Sequence, residues 1–545
     1  MPSRSRQVKR AQERRTQTQQ ATRTRQARVG PPLWQRVPKW GWLAGAALVV
    51  VIVVVVLAAA LGSSSSSSGH ASLTGSGYPN FDTSNSRRAG GPIDGASVSK
   101  LAAAWTMPLT ARSAYGSYSS SPIISDGVIY SQDLASNVQA IDLKTGKVIW
   151  TKSFNSPDQG PNGLVVQGGR VFGATATSAF ALNQGTGKEL WSVALVRNAH
   201  EGIDMAPGYH DGIVYIATVP GNNSKFYGAE GVGVLWALDA GSGKKLWHFD
   251  TVPRNLWGNS GVNSGGGLWY TPAFDEQGSM YVGVANPAPF PGTERFPWGS
   301  SRPGPNLYSD AIVKLNAKTG KLQWYYQQTP HDLYDWDLQD PPILSSVHGK
   351  PAVIAAGKSG FVVALDRSTG KVLWKRSVGI HNGHDQDPSY ALKHEYSKLH
   401  TPETVYPGLL GGVIAPMASN GSTVFVPVVN HPVTFNTQSE NQESGQLGGE
   451  LVALDTQTGA VKWYHPFSSA AFGAATVVND LVFATSFEGK LYAFDTSNGS
   501  VVWEKQLPAG TNTGITVSGD TLIAAAGTPL SQNQSAELIA YRLGG

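Results

Sequence analysis

Hydrophobic and polar residues alternate along the chain in short runs. Each run is followed by a tight turn and by a second run that ends in tryptophan. Seven such units occur, and they read VQAIDLKTGKVIW, AFALNQGTGKELW, LWALDAGSGKKLW, IVKLNAKTGKLQW, VVALDRSTGKVLW, LVALDTQTGAVKW and LYAFDTSNGSVVW. Alternation with a period of two predicts half-buried strands, and the polar turn with its glycine predicts a hairpin connection. Each unit is therefore predicted to be a β-hairpin.

The spacing of these units predicts the fold class. Their closing residues are Trp150, Trp191, Trp247, Trp324, Trp374, Trp463 and Trp503, and a broken eighth copy, VSKLAAAW, ends at Trp105. Separations of 40 to 89 residues leave room for four strands in each unit and for insertions. All-β repeats of this length predict a β-propeller, and eight tryptophan units predict eight blades. A seven-bladed propeller of another kind remains an alternative.

The two ends of the repeat region are expected to meet. The first tryptophan unit has no hairpin before it, and the last apolar run, Glu537 to Leu543, has no strand after it. Pairing the stretch from Leu101 to Leu109 with this run would complete the last blade and remove an open sheet edge.

The residues before the propeller predict a membrane anchor. Leu43 to Leu61 contain no charge over nineteen residues, which is enough to cross a bilayer core of roughly 30 Å. A cleavable signal peptide is the competing interpretation. We predict four regions, which are a basic cytoplasmic segment (1–40), a transmembrane helix (41–62), a Ser/Gly-rich linker (63–77) and an exocytoplasmic propeller (78–545).

Charge and cysteine content narrow the possible functions. The formal net charge is +5, but residues 1–40 contain eleven Lys and Arg against one acid. Subtracting this +10 leaves about −5 for residues 41–545, so nucleic acid binding by the propeller is not indicated. The chain has no cysteine, which excludes disulfides, thiolate metal sites, covalently attached c-type haem and a cysteine nucleophile.

The densest group of chemically active residues is TPHDLYDWD, Thr329 to Asp337. Its three acids alternate with aromatic side chains, and two prolines follow shortly after. Buried carboxylates shift their pKa or bind a cation, so we expect Asp335 to take part in chemistry. A surface turn with ordinary aspartate caps is the alternative.

The tryptophan-ended hairpins, TPHDLYDWD and the segments before it together resemble the quinoprotein dehydrogenases. These eight-bladed enzymes oxidise alcohols or sugars with pyrroloquinoline quinone and a calcium or lanthanide ion. The resemblance extends from about Val98 to Arg542 and is strongest from Gly228 to Gly360.

The resemblance implies a metal site and a catalytic base. Gly228-Ala229-Glu230 is similar to the family's GAE segment, whose glutamate is a metal ligand, and Asn286 in GVANPAPF is similar to the metal-binding asparagine. Asp335 matches the catalytic aspartate, which is also a metal ligand, and Asp337 matches an extra acid that some members carry. Such an all-oxygen set suits a hard cation, Ca²⁺ or a lanthanide.

The resemblance also implies contacts with the quinone. Gly228 and Ala229 belong to this set, Trp269 is similar to the tryptophan that stacks on the cofactor, and Lys358 and Asn430 match polar contacts. Two further places differ, because Ser119 and Asn162 stand where many members have glutamate and arginine. The adjacent cysteine pair of those members is also absent.

Two histidine-containing stretches are predicted to be structural. His381 to Asp387, HNGHDQD, has a spacing that could suit a transition metal, but its composition favours an insertion loop. His331 and Asp332 are expected to hold the loop that presents Asp335.

The implied function is a membrane-anchored dehydrogenase. It would act on an alcohol or sugar and pass electrons to an external acceptor, either a cytochrome or a membrane quinone. The rival is a non-catalytic, membrane-anchored propeller that binds other proteins. A carbohydrate-binding or sensor propeller has no supporting feature of its own.

Overall fold

The structure is a computed structural model, and it describes residues 77–221, 231–435, 440–442 and 447–544. Two compact units divide the chain at Ala71 and Ser72, and all described residues belong to the second. The predicted transmembrane segment, Leu43 to Leu61, lies outside the described residues and stays a prediction. Within the described ranges no helix has the length and apolar character needed to cross a membrane.

Eight sheets form the blades, each with four antiparallel strands, and one of them has a short fifth strand that pairs in parallel, so the predicted all-β eight-bladed propeller is confirmed. Two strands precede the first blade along the chain, β1 (Arg88–Ala89) and β2 (Leu101–Pro108). Blade 1 consists of β3 (Ile123–Ser125), β4 (Val128–Gln132), β5 (Val138–Asp142) and β6 (Val148–Lys152), and blade 2 consists of β7 (Val165–Gln167), β8 (Arg170–Ala174), β9 (Ser178–Asn183) and β10 (Glu189–Ala194). Blade 3 consists of β12 (Gly208–His210), β13 (Ile213–Ala217), β15 (Val234–Asp239) and β16 (Lys245–Asp250), and blade 4 consists of β18 (Ala273–Phe274), β19 (Ser279–Val284), β21 (Ala311–Asn316) and β22 (Leu322–Gln327).

The second half repeats this order. Blade 5 consists of β23 (Ile343–Val347), β24 (Lys350–Ala356), β25 (Phe361–Asp366) and β26 (Val372–Ser377), and blade 6 consists of β28 (Ala418–Ser419), β29 (Thr423–Asn430), β32 (Gly448–Asp455) and β33 (Val461–Phe467). Blade 7 consists of β34 (Thr476–Val478), β35 (Leu481–Ser486), β36 (Lys490–Asp495) and β37 (Val501–Gln506), and blade 8 consists of β38 (Thr516–Ser518), β39 (Thr521–Ala526) and β40 (Glu537–Leu543) with β2. Middle strands are buried on both faces and fourth strands are largely exposed, so the fourth strands lie on the outer rim.

Each predicted hairpin consists of the third and fourth strands of a blade, and its tryptophan packs on the next blade. The Trp374 ring of blade 5 lies on Gly459 in the turn of blade 6, and its Nε1–H donates to the Thr456 carbonyl at 3.0 Å. A Cβ on Gly459 would lie 2.6 Å from the ring, and the residue has φ +67°. Both the close contact and the left-handed backbone conformation therefore require glycine at this position. This contact explains why the repeat pairs a glycine turn with a closing tryptophan.

The ends of the propeller close as predicted. Strand β2 pairs antiparallel with β40, from Leu101 opposite Leu543 to Pro108 opposite Glu537. The outermost strand of blade 8 therefore comes from the start of the propeller. The backbone hydrogen bonds between β2 and β40 close the ring of blades.

Before β2, residues 77–89 cross the first strands or strand entries of several blades, and we name this segment the N-terminal strap. Its carbonyls at Gly77, Thr83, Ser84, Ser86 and Arg87 accept backbone N–H bonds of 2.8–2.9 Å from Val166, Phe274, Leu344, Ser419 and Val477. Arg87 is buried and donates to the Ala475 and Ile515 carbonyls at 2.7 and 3.2 Å. The strap thus ties the first strands of blades 2, 4, 5, 6 and 7 together.

Three small sheets and a few short helices lie between the blade strands. The sheets are β11 (Glu201–Gly202) with β14 (Val219–Pro220), β17 (Ser264–Gly265) with β20 (Pro287–Ala288), and β27 (Glu403–Val405) with β30 (Val433–Phe435) and β31 (Glu440–Gln442). The helices are α1 (Asp387–Leu392) and four 3₁₀ turns, Val98–Lys100, Leu256–Gly258, Pro297–Gly299 and Tyr396–Lys398. Of these elements, β14 lines the cavity described next, through Val219 and Pro220.

Candidate active site

A cavity of about 950 Å³ is lined by the loops that lead into the first strands of several blades. One of its sides carries four of the predicted site residues, Trp269, Asn286, Asp335 and Lys358. These residues come from blade 4, from blade 5 and from the loop between the two blades, and they are separated by up to 89 positions in the chain. The fold therefore brings together residues that the sequence places far apart.

The loop after β22 presents Asp335. Asp332 is fully buried, and its two carboxylate oxygens accept the backbone N–H groups of Tyr334 and Trp336 at 3.2 and 3.1 Å. His331 is also buried, and its ring nitrogens lie 3.0 and 3.2 Å from the Gly304 and Trp298 carbonyls. These contacts agree with the expected structural role of both residues.

Asp335 itself is held in an uncommon backbone conformation. Its φ is +63°, which costs a non-glycine residue about 1–3 kcal/mol unless the surroundings impose it. The two flanking N–H bonds to Asp332 fix the loop on both sides of Asp335. The conformation turns the carboxylate of Asp335 toward Lys358.

Lys358 bridges two buried carboxylates. Its Nζ lies 2.6 Å from Asp335 Oδ2 and 2.6 Å from Asp337 Oδ2, and the three side chains are at most 1% exposed. Lys358 occupies the turn between β24 and β25, where its backbone N–H donates to the Asp337 carbonyl at 2.9 Å. The preceding residue must be Gly357, because a Cβ there would lie 1.9 Å from that carbonyl oxygen.

Burial and charge act in opposite directions on this trio. Burial raises the pKa of Asp335 well above its ordinary value, and Asp337 adds to the rise while Lys358 opposes it. Burial lowers the pKa of the Lys358 ammonium, but its two carboxylate neighbours outweigh burial and the net shift is upward. Lys358 is therefore the fixed positive charge of the site, and Asp335 has a higher proton affinity than an exposed aspartate.

Asn286 and Trp269 complete this side of the cavity. The Asn286 backbone N–H donates to Asp337 Oδ1 at 2.7 Å, so Asp337 orients both Asn286 and Lys358. Asp337 is fully buried behind them and is not among the residues that line the cavity. Lys358 Nζ also lies 4.4 Å from the centre of the Trp269 ring, a cation–π contact.

Not every predicted site residue is placed on this side. Gly228, Ala229 and Glu230 lie outside the described residues. Asn430, at the end of β29, accepts a hydrogen bond from the Ile380 N–H at 2.9 Å, and it is not part of the cavity lining. In the structure the Asn430 side chain supports the neighbouring loop, and its contact with the cofactor remains a prediction.

The insertion from His381 to Asp387 supports the loop that presents Asp335. The Tyr334 hydroxyl donates to Asp387 Oδ2 at 2.6 Å, and His384 Nδ1 lies 2.8 Å from the same oxygen. Sequence reasoning gave this insertion no link to the site, because 53 positions separate Tyr334 from Asp387. Within the described ranges, no three His, Asp or Glu residues are grouped so as to hold a metal ion.

The residues present fit the implied cofactor on this side. A half-buried tryptophan ring at the cavity wall suits a planar heterocycle, and a fixed ammonium beside it suits an electron-rich carbonyl oxygen. For the metal ion, Asp335 and Asn286 supply oxygen atoms at the cavity. Asp337 could join them only if it exchanged its present contact with Lys358.

Comparisons with known proteins agree with this description. Residues 197–377 match the family described as glucose/ethanol/alcohol dehydrogenase, beta-propeller domain, and residues 407–544 match the family described as outer membrane protein assembly factor BamB. The chain is 31% identical over 432 residues to a quinohemoprotein alcohol dehydrogenase of Comamonas testosteroni, covering 70% of this chain and 58% of that protein. It is 30% identical to the dehydrogenase subunit of a Gluconobacter oxydans alcohol dehydrogenase (quinone), covering 64% and 51%.

Solved structures show the same fold. The crystal structure of the Comamonas testosteroni enzyme gives a TM-score of 0.74 at 24% identity, covering 88% of this chain and 82% of that chain. The quinohemoprotein alcohol dehydrogenase ADHIIG of Pseudomonas putida HK5 gives 0.76 at 23% identity, covering 87% and 81%. The chain spans about half the length of the first curated relatives it matches.

The propeller thus defines a quinoprotein-type fold with a buried Lys–Asp site. The resemblance predicted from the sequence is confirmed, since the family model and the curated relatives that the chain matches, at about 30% identity, are those of PQQ-dependent alcohol dehydrogenases. The prediction of an oxidoreductase agrees with the relatives, which are named as quinoprotein or quinohemoprotein alcohol dehydrogenases.

Proposed function

We propose that this chain is a membrane-anchored quinoprotein dehydrogenase that oxidises an alcohol or a sugar. The observation that carries the proposal is the buried Asp335 at the cavity wall, paired with Lys358 at 2.6 Å and placed beside Asn286 and Trp269. A carboxylate with raised proton affinity, held by a fixed cation in a cavity, is what a general base requires.

The chain's own residues have distinct tasks in this reaction. Asp335 accepts the proton of the substrate hydroxyl at its carboxylate, and the conformation imposed by Asp332 keeps that carboxylate in place. Lys358 stabilises negative charge that develops near its ammonium group. Bound pyrroloquinoline quinone would supply a hydride acceptor, and a bound Ca²⁺ or lanthanide ion would supply a Lewis acid.

The remaining parts of the proposal follow from the sequence. Glu230, Asn286, Asp335 and Asp337 would hold the metal ion, and Trp269 and Lys358 would contact the quinone. The segment from Leu43 to Leu61 would anchor the protein with the propeller on the exocytoplasmic side. Electrons would leave to an external cytochrome or membrane quinone, because the chain has no cysteine for covalent haem attachment.

The test is Asp335→Asn in the full chain, which keeps the size of the side chain and removes its basicity. Dye reduction is followed with pyrroloquinoline quinone, Ca²⁺ or La³⁺, and a panel of alcohols and aldoses. We expect quinone binding to remain, if weakened, and turnover to fall by a factor on the order of 10² or more. Asp211→Asn, at an exposed aspartate that is not part of the cavity lining, is the matched control and should leave turnover unchanged.

A variant as active as the parent would show that another residue is the base. Absence of quinone binding by absorbance and calorimetry with either metal would favour a second function, a protein-binding propeller. That alternative has an observation of its own, since residues 407–544 match the family named for an outer membrane assembly factor. Quinone binding is therefore the measurement that separates the two functions.

A further inference from the structure

Arg302 is a fully buried arginine to which the proposed reaction gives no task. It lies in the chain between β20 and β21, and its side chain is 0% exposed. Burial lowers the pKa of Arg302 to about 10, and the charges of Asp332 and Asp310 oppose that shift. The guanidinium is therefore charged at neutral pH. A buried charge is costly unless its hydrogen bonds are satisfied, so the groups that receive those bonds are informative.

The guanidinium connects two segments of the candidate site. Its Nη2 donates to the Pro289 carbonyl at 3.2 Å and to the Asp332 carbonyl at 2.5 Å. Pro289 lies three positions after Asn286, and Asp332 lies three positions before Asp335. We name these two bonds the Arg302 link, because they join the segment that carries Asn286 to the loop that carries Asp335.

Neighbouring residues hold the guanidinium in place. Its Nη1 donates to Asn306 Oδ1 at 2.5 Å, and Asn306 Nδ2 donates to the Arg302 carbonyl at 2.8 Å. The Asn306 backbone N–H also donates to the Pro330 carbonyl at 2.7 Å, in the loop after β22. Gly299 leaves room for the group, because a Cβ there would lie 2.8 Å from His331 Nε2 and 3.0 Å from Arg302 Cζ. The orientation of the guanidinium is therefore fixed on several sides.

The Arg302 link is a second point of contact between the two segments. The first lies at the site itself, where the Asn286 backbone N–H donates to Asp337 Oδ1 at 2.7 Å. One contact alone would leave the segments able to turn about it, whereas two contacts fix their relative orientation. Residues behind the ligands of a metal ion commonly set its affinity in this way, because the ligands are then held at the required separation.

We propose that Arg302 is a positioning residue that holds Asn286 and Asp335 at the separation needed to bind the metal ion. Arg302 does not line the cavity, so it acts through the Pro289 and Asp332 carbonyls and not by contact with the ion or the quinone. The identity of the ion, Ca²⁺ or a lanthanide, rests on the proposed function. The Arg302 link itself depends on neither the ion nor the quinone.

Arg302→Lys in the full chain tests the proposal, because it keeps the charge and removes the planar fork that reaches several acceptors. Arg87→Lys is the matched control. Arg87 is 1% exposed, has its pKa lowered to about 10 by burial, and holds the N-terminal strap to the Ala475 and Ile515 carbonyls of blades 7 and 8. Both variants should have a lower melting temperature than the parent, because each removes hydrogen bonds of a buried guanidinium.

Metal affinity separates positioning from general stability. Calorimetric titration with Ca²⁺ or La³⁺, with pyrroloquinoline quinone present, should give a dissociation constant at least about tenfold higher for Arg302→Lys than for the parent. Arg87→Lys should bind the ion as tightly as the parent. Equal affinity in Arg302→Lys and the parent, or an equal loss in the two variants, overturns the proposal.

Hydrogen exchange without metal or quinone tests the Arg302 link directly. In Arg302→Lys we expect faster amide exchange in both 285–291 and 329–338, while Arg87→Lys should affect 77–89 instead. Asn306→Ala keeps the guanidinium and removes the acceptor of its Nη1, so it serves if Arg302→Lys does not fold. It should change exchange in the same two segments and lower metal affinity by less than about tenfold.

These measurements distinguish an error in this proposal from an error in the proposed function. If the parent binds neither ion, the proposed metal site is wrong, and the exchange rates alone decide whether Arg302 orients the two segments. Unchanged exchange in both segments, in Arg302→Lys and in Asn306→Ala, overturns the positioning role whatever the parent binds.

Discussion

The outer rim of the propeller and the loops around its cavity satisfy buried polar groups in different ways. On the rim the same bond recurs, with the tryptophan Nε1–H of one blade donating to a turn carbonyl of the next at 3.0–3.1 Å, as at Trp105, Trp150, Trp191, Trp324, Trp374 and Trp463. At the cavity each polar group has its own arrangement, such as the Lys358 bridge between Asp335 and Asp337.

The difference between rim and cavity shows how a fold built from repeats can contain a site that occurs only once. A rim contact involves neutral groups and is repeated, so the loss of one leaves the others intact. A cavity contact involves buried charges, so the loss of one partner leaves the other uncompensated. Substitutions on the rim are therefore expected to be tolerated better than substitutions at the cavity.

The largest effect is expected for Lys358→Met. The change leaves two fully buried carboxylates without their cation, and we expect a loss of about 3–5 kcal/mol in the free energy of unfolding. Urea unfolding at pH 7 measures it. Lys371→Met, at an exposed lysine in the turn of blade 5, is the matched control.

A double variant sharpens this result. Adding Asp337→Asn to Lys358→Met removes one of the two uncompensated charges and should recover part of the loss, which reveals the coupling between the two residues. Equal losses for Lys358→Met and Lys371→Met would contradict the idea that cavity contacts matter more than surface ones.

The next effect concerns pH and His331. Burial lowers the pKa of His331 to about 4, and Arg302 adds to the shift, outweighing the two nearby carbonyls. Because the unfolded pKa is about 6.5, the folded state resists protonation and stability falls as pH decreases from about 6.5 to 4, by about 2–3 kcal/mol.

His331→Gln should remove this part of the acid dependence. Unfolding free energies at pH 7.5 and 4.5 give the difference for the parent and the variant, and His348→Gln, at an exposed histidine, serves as control. If the parent and His331→Gln lose the same free energy of unfolding between these pH values, protonation of His331 is not the cause of the loss of stability in acid.

The smallest effect is expected on the rim. Trp374→Phe keeps an aromatic ring on Gly459 but removes the hydrogen bond from Nε1–H to the Thr456 carbonyl. We expect the loss of that bond to lower the free energy of unfolding by about 1 kcal/mol, in addition to the loss of packing. Trp247→Phe is a natural comparison, because Trp247 Nε1 has no hydrogen-bond partner among the described residues.

The difference between the two variants isolates the repeated bond. Both tryptophans pack on a turn glycine of the following blade, so the packing losses should be similar. Identical unfolding free energies for Trp374→Phe and Trp247→Phe would mean that the rim bond contributes nothing to stability.

Part of the candidate site was accessible from the sequence. Asn286, Asp335, Trp269 and Lys358 were predicted from their motifs, and the structure brings all four to one cavity. The direct contact of Lys358 with both Asp335 and Asp337 was not predicted, since it depends on how the turn at Gly357 packs against a loop of the preceding blade. Asn430 matched a motif, yet its side chain supports the loop at Ile380.

The sequence by itself determined the eight blades, because alternation, turn glycines and closing tryptophans act over a few residues and recur at every hairpin. It also determined the closure of the circle, since two unpaired strand patterns, Leu101 to Leu109 and Glu537 to Leu543, had one way to avoid an open edge. Only the tertiary structure decided which charges are compensated. Asp335 and Asp337 share the ammonium of Lys358, because the turn that carries Lys358 packs against the loop after β22, and no local pattern encodes distances between loops of different blades.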